Sequence, residues 1–123
     1  MVMLDANMIL RYLLNDNKDM ADKAEQYIEA GDVFVTVEVV AEVVYVLKGV
    51  YSMGRDKIAN AIKGFLKIVL CPATDILNLA LDTYAKNNLD FVDCVLYAYH
   101  RIRGMEIATF DRKLLKLMMG ESL

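Results

Sequence analysis

Residues 1–14, MVMLDANMILRYLL, decide how the rest of the chain is read. Val2, Met3 and Leu4 form a short apolar run that stops at Asp5. Asn7 then stands where a helix N-cap belongs, ahead of Met8, Ile9, Leu10, Leu13 and Leu14. The order is strand, tight turn, helix. In an open parallel α/β sheet, ligands bind beyond the carboxyl ends of the strands, so Asp5 falls where such a fold keeps its chemistry.

Outward from that start, strands and helices alternate. Asp19 reads as the cap of a helix reaching Ala30, and Val33–Val35 as a second strand. Thr36 is placed to cap the Val-rich segment TVEVVAEVVYVLKGV, which is too long for a strand and carries Glu38 and Glu42 four apart, as a helix does. A helix from Gly54 and Arg55 to Lys67 leads to a third strand, Ile68–Leu70, ahead of Pro72. Thr74 to Asn87 is helical. Asp90 caps the next helix, which closes on basic residues and Gly104. Glu106–Ala108 makes a fourth strand, and Thr109, Phe110 and Asp111 lead into a last amphipathic helix. Such alternation predicts a parallel sheet with helices on both faces.

The chain shows no repeats or linkers, and 123 residues suit one domain spanning residues 1–123. Its 57% hydrophobic content exceeds the usual ~45–50%, which assigns some apolar surface to an interface. No apolar run approaches the ~18 residues of a membrane span, and no signal peptide is evident, which points to a cytoplasmic protein without membrane contact. Cys71 and Cys94 have no metal-ligand spacing and read as reduced, buried residues.

Four carboxylates occupy comparable places at the carboxyl side of the expected sheet: Asp5, Glu42, Asp93 and Asp111, with Asp90 nearby. With strand four beside strand one and strand two on its other side, Asp5 and Asp111 flank a topological switch point. Like charges so close need a cation or a raised pKa. Carboxylates suit Mg²⁺ or Mn²⁺, whereas Zn²⁺ prefers His or Cys. Other roles stay open: Asp90 and Asp93 fit N-cap and N3 positions, and Asp111 fits a cap. Glu42 lies among Val, Tyr and Leu residues that read as buried, where a lone Glu is rare. Setting the five acids aside leaves more Lys and Arg than Asp and Glu, so the formal charge of −3 weakens a nucleic-acid role without excluding it.

The segments LDANMILRYLL, TVEVVAEVVYVL, DFVDCVLYAY and ATFDRKLLKL resemble those of PIN-domain ribonucleases, and in size and arrangement the chain is similar to the VapC-like toxin of a VapBC-type toxin-antitoxin pair. The resemblance implies a three-layer α/β fold whose short parallel sheet has four strands. The chain stops soon after LMMGESL begins, which leaves the family's fifth edge strand absent or vestigial. It also implies that Asp5, Glu42, Asp93 and Asp111 are catalytic and bind one or two Mg²⁺ or Mn²⁺ ions, with Asp90 accessory and Asn7 and Thr109 supporting. The implied reaction is endonucleolytic RNA hydrolysis that leaves a 3′-hydroxyl and a 5′-phosphate.

Arg11, Lys48, Arg112, Lys113 and Lys116 are the cations near these motifs that RNA would need, although such residues also serve as solvated faces. Tyr12, Tyr45 and Tyr97 are candidates for base stacking or for core packing. His100 reads as a surface or packing residue. Val39, Val43, Val46, Leu47, Val50 and Tyr51 suit a homodimer or a groove for a small antitoxin, with the core claiming some of them. Competing readings are a non-catalytic PIN-like interaction module and a PIN nuclease of RNA processing. A phosphorylated receiver domain lacks its Asp after strand three, and a Rossmann domain lacks its Gly-rich loop.

Overall fold

The computed structural model describes residues 1–120 of the chain. Strand β1 (Val2–Met3) pairs in parallel with β2 (Val33–Phe34), in the register Val2 to Val33 and Met3 to Phe34. Around this pair run α1 (Ala6–Leu14), α2 (Lys18–Ala30), α3 (Val37–Gly49), α4 (Arg55–Phe65), α5 (Thr74–Lys86), α6 (Phe91–Arg103) and α7 (Arg112–Met118). One core runs through most of them, drawing Ile9, Leu47, Ile62, Leu81, Ala98 and Leu114 from the helices and Leu4 and Val35 from just past the strands, while α2 packs Ile28 against it.

The sheet is smaller than the expected four strands: among the described residues it has two. The third shrinks to a single parallel bridge, Phe34 to Leu70, with Val35 N donating to Leu70 O at 3.0 Å. Turn bonds that prolong the end of α4 occupy the intervening residues, since the amides of Lys67, Ile68 and Val69 donate to Gly64 and Phe65 carbonyls. The expected fourth strand, Glu106–Ala108, is not formed. Glu106 and Ala108 are exposed and only Ile107 packs against the core, so nothing draws this stretch onto β1, where Val2 and Met3 stay 41% and 57% exposed. The expected switch point between strands one and four is therefore not built. Any fifth strand contributed by residues 121–123 lies outside the described residues.

Helix ends follow local chemistry. Asp5, not Asn7, caps α1: its Oδ1 accepts from Met8 N at 2.8 Å, which places Ala6 and Asn7 inside the helix. Asn17, not Asp19, caps α2 through Met20 N at 3.1 Å. Thr36 caps α3 as expected, and Gly104 ends α6 at φ +66, a conformation that costs glycine least. Asn17→Ala is expected to lower stability by about 1 kcal/mol without touching any acid discussed below, measurable as a shift in the urea midpoint at unchanged slope.

Helix α3 buries Val40, Val43, Val44 and Leu47, a stripe at i, i+3, i+4 and i+7. Glu38, Glu42 and Tyr45 share the opposite, exposed side, so Glu42 is not buried as its neighbours suggested. Of the interface set, Val43 and Leu47 belong to the core and Val39 and Val46 are half-buried, which leaves Val50 and Tyr51 exposed. No helix of the described residues is long and apolar enough to cross a membrane.

Candidate functional site

Two acids one turn apart, Asp90 and Asp93, mark the start of α6. Asp90 takes the N-cap position with extended backbone, yet its side chain makes no capping hydrogen bond. Its carboxylate therefore does not serve the helix start as the capping reading required. Asp93, one turn on, is half-buried. Its pKa is raised, first by burial and then by the negative charges of Asp111 and Asp90. Asp93 thus feels acids from both sides, Asp90 at the start of its own helix and Asp111 at the start of α7.

Asp111 caps α7, its Oδ1 accepting from Leu114 N at 2.8 Å, while Thr109 Oγ1 accepts from Asp111 N at 3.0 Å. Capping and a charged role coexist here, because among the described residues the second carboxylate oxygen makes no hydrogen bond. The bond from Asp111 N to Thr109 fixes the backbone at the start of α7.

The other two acids stand apart. Asp5 lines a separate cavity of about 220 Å³ with Asn7, Met8, Arg11, Met20 and Lys23, and its charge is not among those acting on Asp93. Glu42 points outward from α3. Among the described residues no three Asp, Glu, His or Cys side chains gather closely enough to hold a metal ion. The expected meeting of the acids in one metal-holding pocket is not built among the described residues; what is present is the charge of Asp111 and Asp90 acting on Asp93. Two devices keep Asp5 where it is, its cap on α1 and the missing fourth strand that was to bring Asp111 beside β1.

The cations divide in the same way. Arg11 donates to both carboxylate oxygens of Asp16 at 2.9 Å and to the Tyr51 hydroxyl at 3.1 Å, so it is an intramolecular tie. Lys113 Nζ donates to Asn88 O at 3.1 Å, holding α7 against the loop before α6. Lys48, Arg112 and Lys116 are exposed and make no ion pair among the described residues. Tyr12 packs edge-on against Phe65, 5.9 Å between centroids, which gives it to the core; Tyr97 is half-buried and Tyr45 is 80% exposed. His100 Nδ1 lies 2.9 Å from Met105 O and pins the turn after α6. Both cysteines are buried and unpaired, and burial pushes the Cys94 thiol up to about 12, far from a nucleophile's range.

Sequence reasoning missed Arg55. From the first turn of α4 its Nη1 donates to the carbonyls of Tyr84, Asn87 and Leu89, at 3.2, 2.8 and 2.8 Å, and its guanidinium lies 4.2 Å from the Tyr84 ring centroid. This residue sets the α5–α6 connection and so the position of Asp90 and Asp93. No motif marks it, because its partners are backbone carbonyls that every sequence has.

A small parallel sheet surrounded by seven helices, with acids at the starts of α1, α6 and α7, defines an α/β domain. Residues 2–118 match the family model described as PIN domain, and the chain belongs to that family. No curated protein and no solved structure matches it significantly. PIN domains are generally nucleases, and they generally use divalent metals such as Mg²⁺.

Proposed function

We propose that this protein is a Mg²⁺- or Mn²⁺-dependent endoribonuclease. The observation that carries the reading is the raised pKa of Asp93 under the combined charge of Asp111 and Asp90. Carboxylates are oxygen donors, which suit a hard divalent cation, and a cation bound near Asp93 would offset the negative charge that Asp111 and Asp90 place on it. Asp93, Asp111 and Asp90 would hold the ion, and Asp5 and Glu42 are proposed as further acids of the same centre on the resemblance of their segments. When bound, the cation supplies a water of lowered pKa and a counter-charge for the phosphate. Lys48, Arg112 and Lys116 would hold the RNA backbone against the negative charge of the acids.

Beyond the reaction, we assign the protein to the toxin side of a toxin-antitoxin pair, working in the cytoplasm as a homodimer restrained by a small antitoxin. Exposed Val50 and Tyr51 at the end of α3 support a contact surface, as does the open edge of β1.

Thermal unfolding with and without Mn²⁺ tests the centre. The native chain is expected to gain several degrees in Tm at millimolar Mn²⁺ by mass action, and to cleave single-stranded RNA only until EDTA is added. Asp5→Asn asks whether Asp5 belongs to the same centre, and unchanged cleavage by that variant would remove it. A Tm that ignores Mn²⁺, together with no cleavage, would leave a PIN module acting through protein contacts.

A further inference from the structure

Next to the acids lies a mostly apolar cavity of about 420 Å³ that the proposed reaction leaves without a role. Asp90 lines it, and so do Tyr45 and Lys48 from α3, Arg55, Tyr84 and Val92. We propose that this cavity is a nucleobase subsite, which receives one unstacked base of a single-stranded RNA beside the acidic centre. The inference rests on the nuclease reading for its location and on the cavity itself for its chemistry.

Four observations converge on it. Its volume lies within the roughly 300–1,000 Å³ of small-ligand sites. Tyr45 and Val92 stay 80% and 59% exposed although each lines it, so an aromatic face on α3 and an aliphatic one on α6 lie open at the same hollow. Bases splayed out of single strands take just such surfaces, because every base has a stacking face. Lys48, one turn beyond Tyr45, is exposed and unpaired among the described residues, and its ammonium suits the phosphate attached to such a base. Tyr84, another wall residue, is 1% exposed and its hydroxyl is buried without a hydrogen-bond partner, a polar group still unsatisfied at this wall.

The arrangement also selects against the alternatives. Arg55 is engaged with three carbonyls and contributes a wall, not a free charge. An apolar protein side chain of similar size would fill the hollow equally well, but it would leave Lys48 on its wall without a partner. A nucleotide uses it: its phosphate meets Lys48, and the cation of the proposed centre would screen the rest of the backbone from Asp90 on the neighbouring wall.

The test compares native protein, Tyr45→Ala and Tyr45→Phe. Affinity for fluorescein-labelled single-stranded RNA octamers is measured in EDTA, and cleavage kinetics of the same octamers in Mn²⁺. Tyr45→Ala is expected to weaken binding and raise KM by about tenfold or more, with kcat changed less and the Mn²⁺-induced rise in Tm intact. Tyr45→Phe should retain native values. Equal RNA affinity for Tyr45→Ala and native protein overturns the subsite even where cleavage is seen. A change of oligomeric state on Tyr45→Ala, read by sedimentation, also overturns it, because that face then joins copies of the chain. Native protein that binds RNA through Tyr45 yet never cleaves it upholds the subsite and refutes the nuclease. Native protein that binds no RNA refutes both.

Discussion

Asp93→Asn is expected to abolish the proposed RNA cleavage and to leave the cation-free protein at least as stable as the native chain. Both outcomes follow from one cause. The Asp93 carboxyl is held above its usual pKa by burial and by the charges of Asp111 and Asp90, so its ionised form is disfavoured in the folded state. A carboxylate whose folded pKa is raised subtracts from stability once it ionises. The penalty is absent below the unfolded value of about 3.9, grows as pH rises toward the folded pKa, and is complete above it. The neutral amide keeps the shape and removes that penalty. The Asn variant should therefore melt at or above the native temperature at pH 7, and the difference should vanish below about pH 3, where Asp93 is protonated in both states. Cleavage should fall by about a hundredfold or more, since an amide is a far poorer ligand for a hard cation and no longer completes the acid group. The Mn²⁺-induced rise in Tm should disappear with it. A variant less stable than native at pH 7 would show that Asp93 serves the helix start through its charge, which the raised pKa contradicts.

What the sequence disclosed, and what it concealed, divides along one physical line. Features decided by neighbours within one turn were legible: Thr36 capping α3, Gly104 closing α6, and Asp111 at the head of α7. Helix α3 was also readable despite its many Val residues, because Glu38 and Glu42 recur at helical spacing. The same richness in Val misled about Glu42. In VEVVAEVVYVL almost every residue is apolar, so pattern alone does not show that 40, 43, 44 and 47 face inward while 38, 42 and 45 face out. Caps were misplaced when the first apolar residue was taken as the start of the helix. Asp5 reaches forward to Met8, so Ala6 and Asn7 are already helical. Strand pairing was the least legible, since a strand exists only with a partner. Ile68–Leu70 is drawn mostly into the turn after α4, and Glu106–Ala108 finds no edge. Of the candidate site, Asp111 and Asp90 act on Asp93 because α6 and α7 pack on each other. Asp5 depended on the strand that did not form.

Arg55→Met should be the most destabilising single change outside the apolar core, at about 2–4 kcal/mol. The three carbonyls it satisfies lie at and just beyond the end of α5, where the helix itself leaves carbonyl groups without partners. Methionine keeps the length and apolar stem of the side chain, so the measured loss is that of the charged donor. It also removes the guanidinium from the face of Tyr84, a further contribution of about 1 kcal/mol at a half-buried site. The Tm should fall by roughly 10 °C, and the urea midpoint should move at constant slope. Arg55→Lys should recover little of this, because a single ammonium does not reproduce the planar spread of donors. Activity should fall with stability in Arg55→Met even at temperatures where the variant is fully folded. The connection that Arg55 holds leads straight into Asp90 and Asp93, and Lys113 ties α7 to the same loop through Asn88 O. The expected signature is a lower kcat and a smaller Mn²⁺-induced rise in Tm, with the far-ultraviolet spectrum unchanged at 20 °C by roughly any measure of helix content. Native-like cleavage by folded Arg55→Met would show that the acids are positioned by α6 packing alone. It would confine Arg55 to a purely stabilising role.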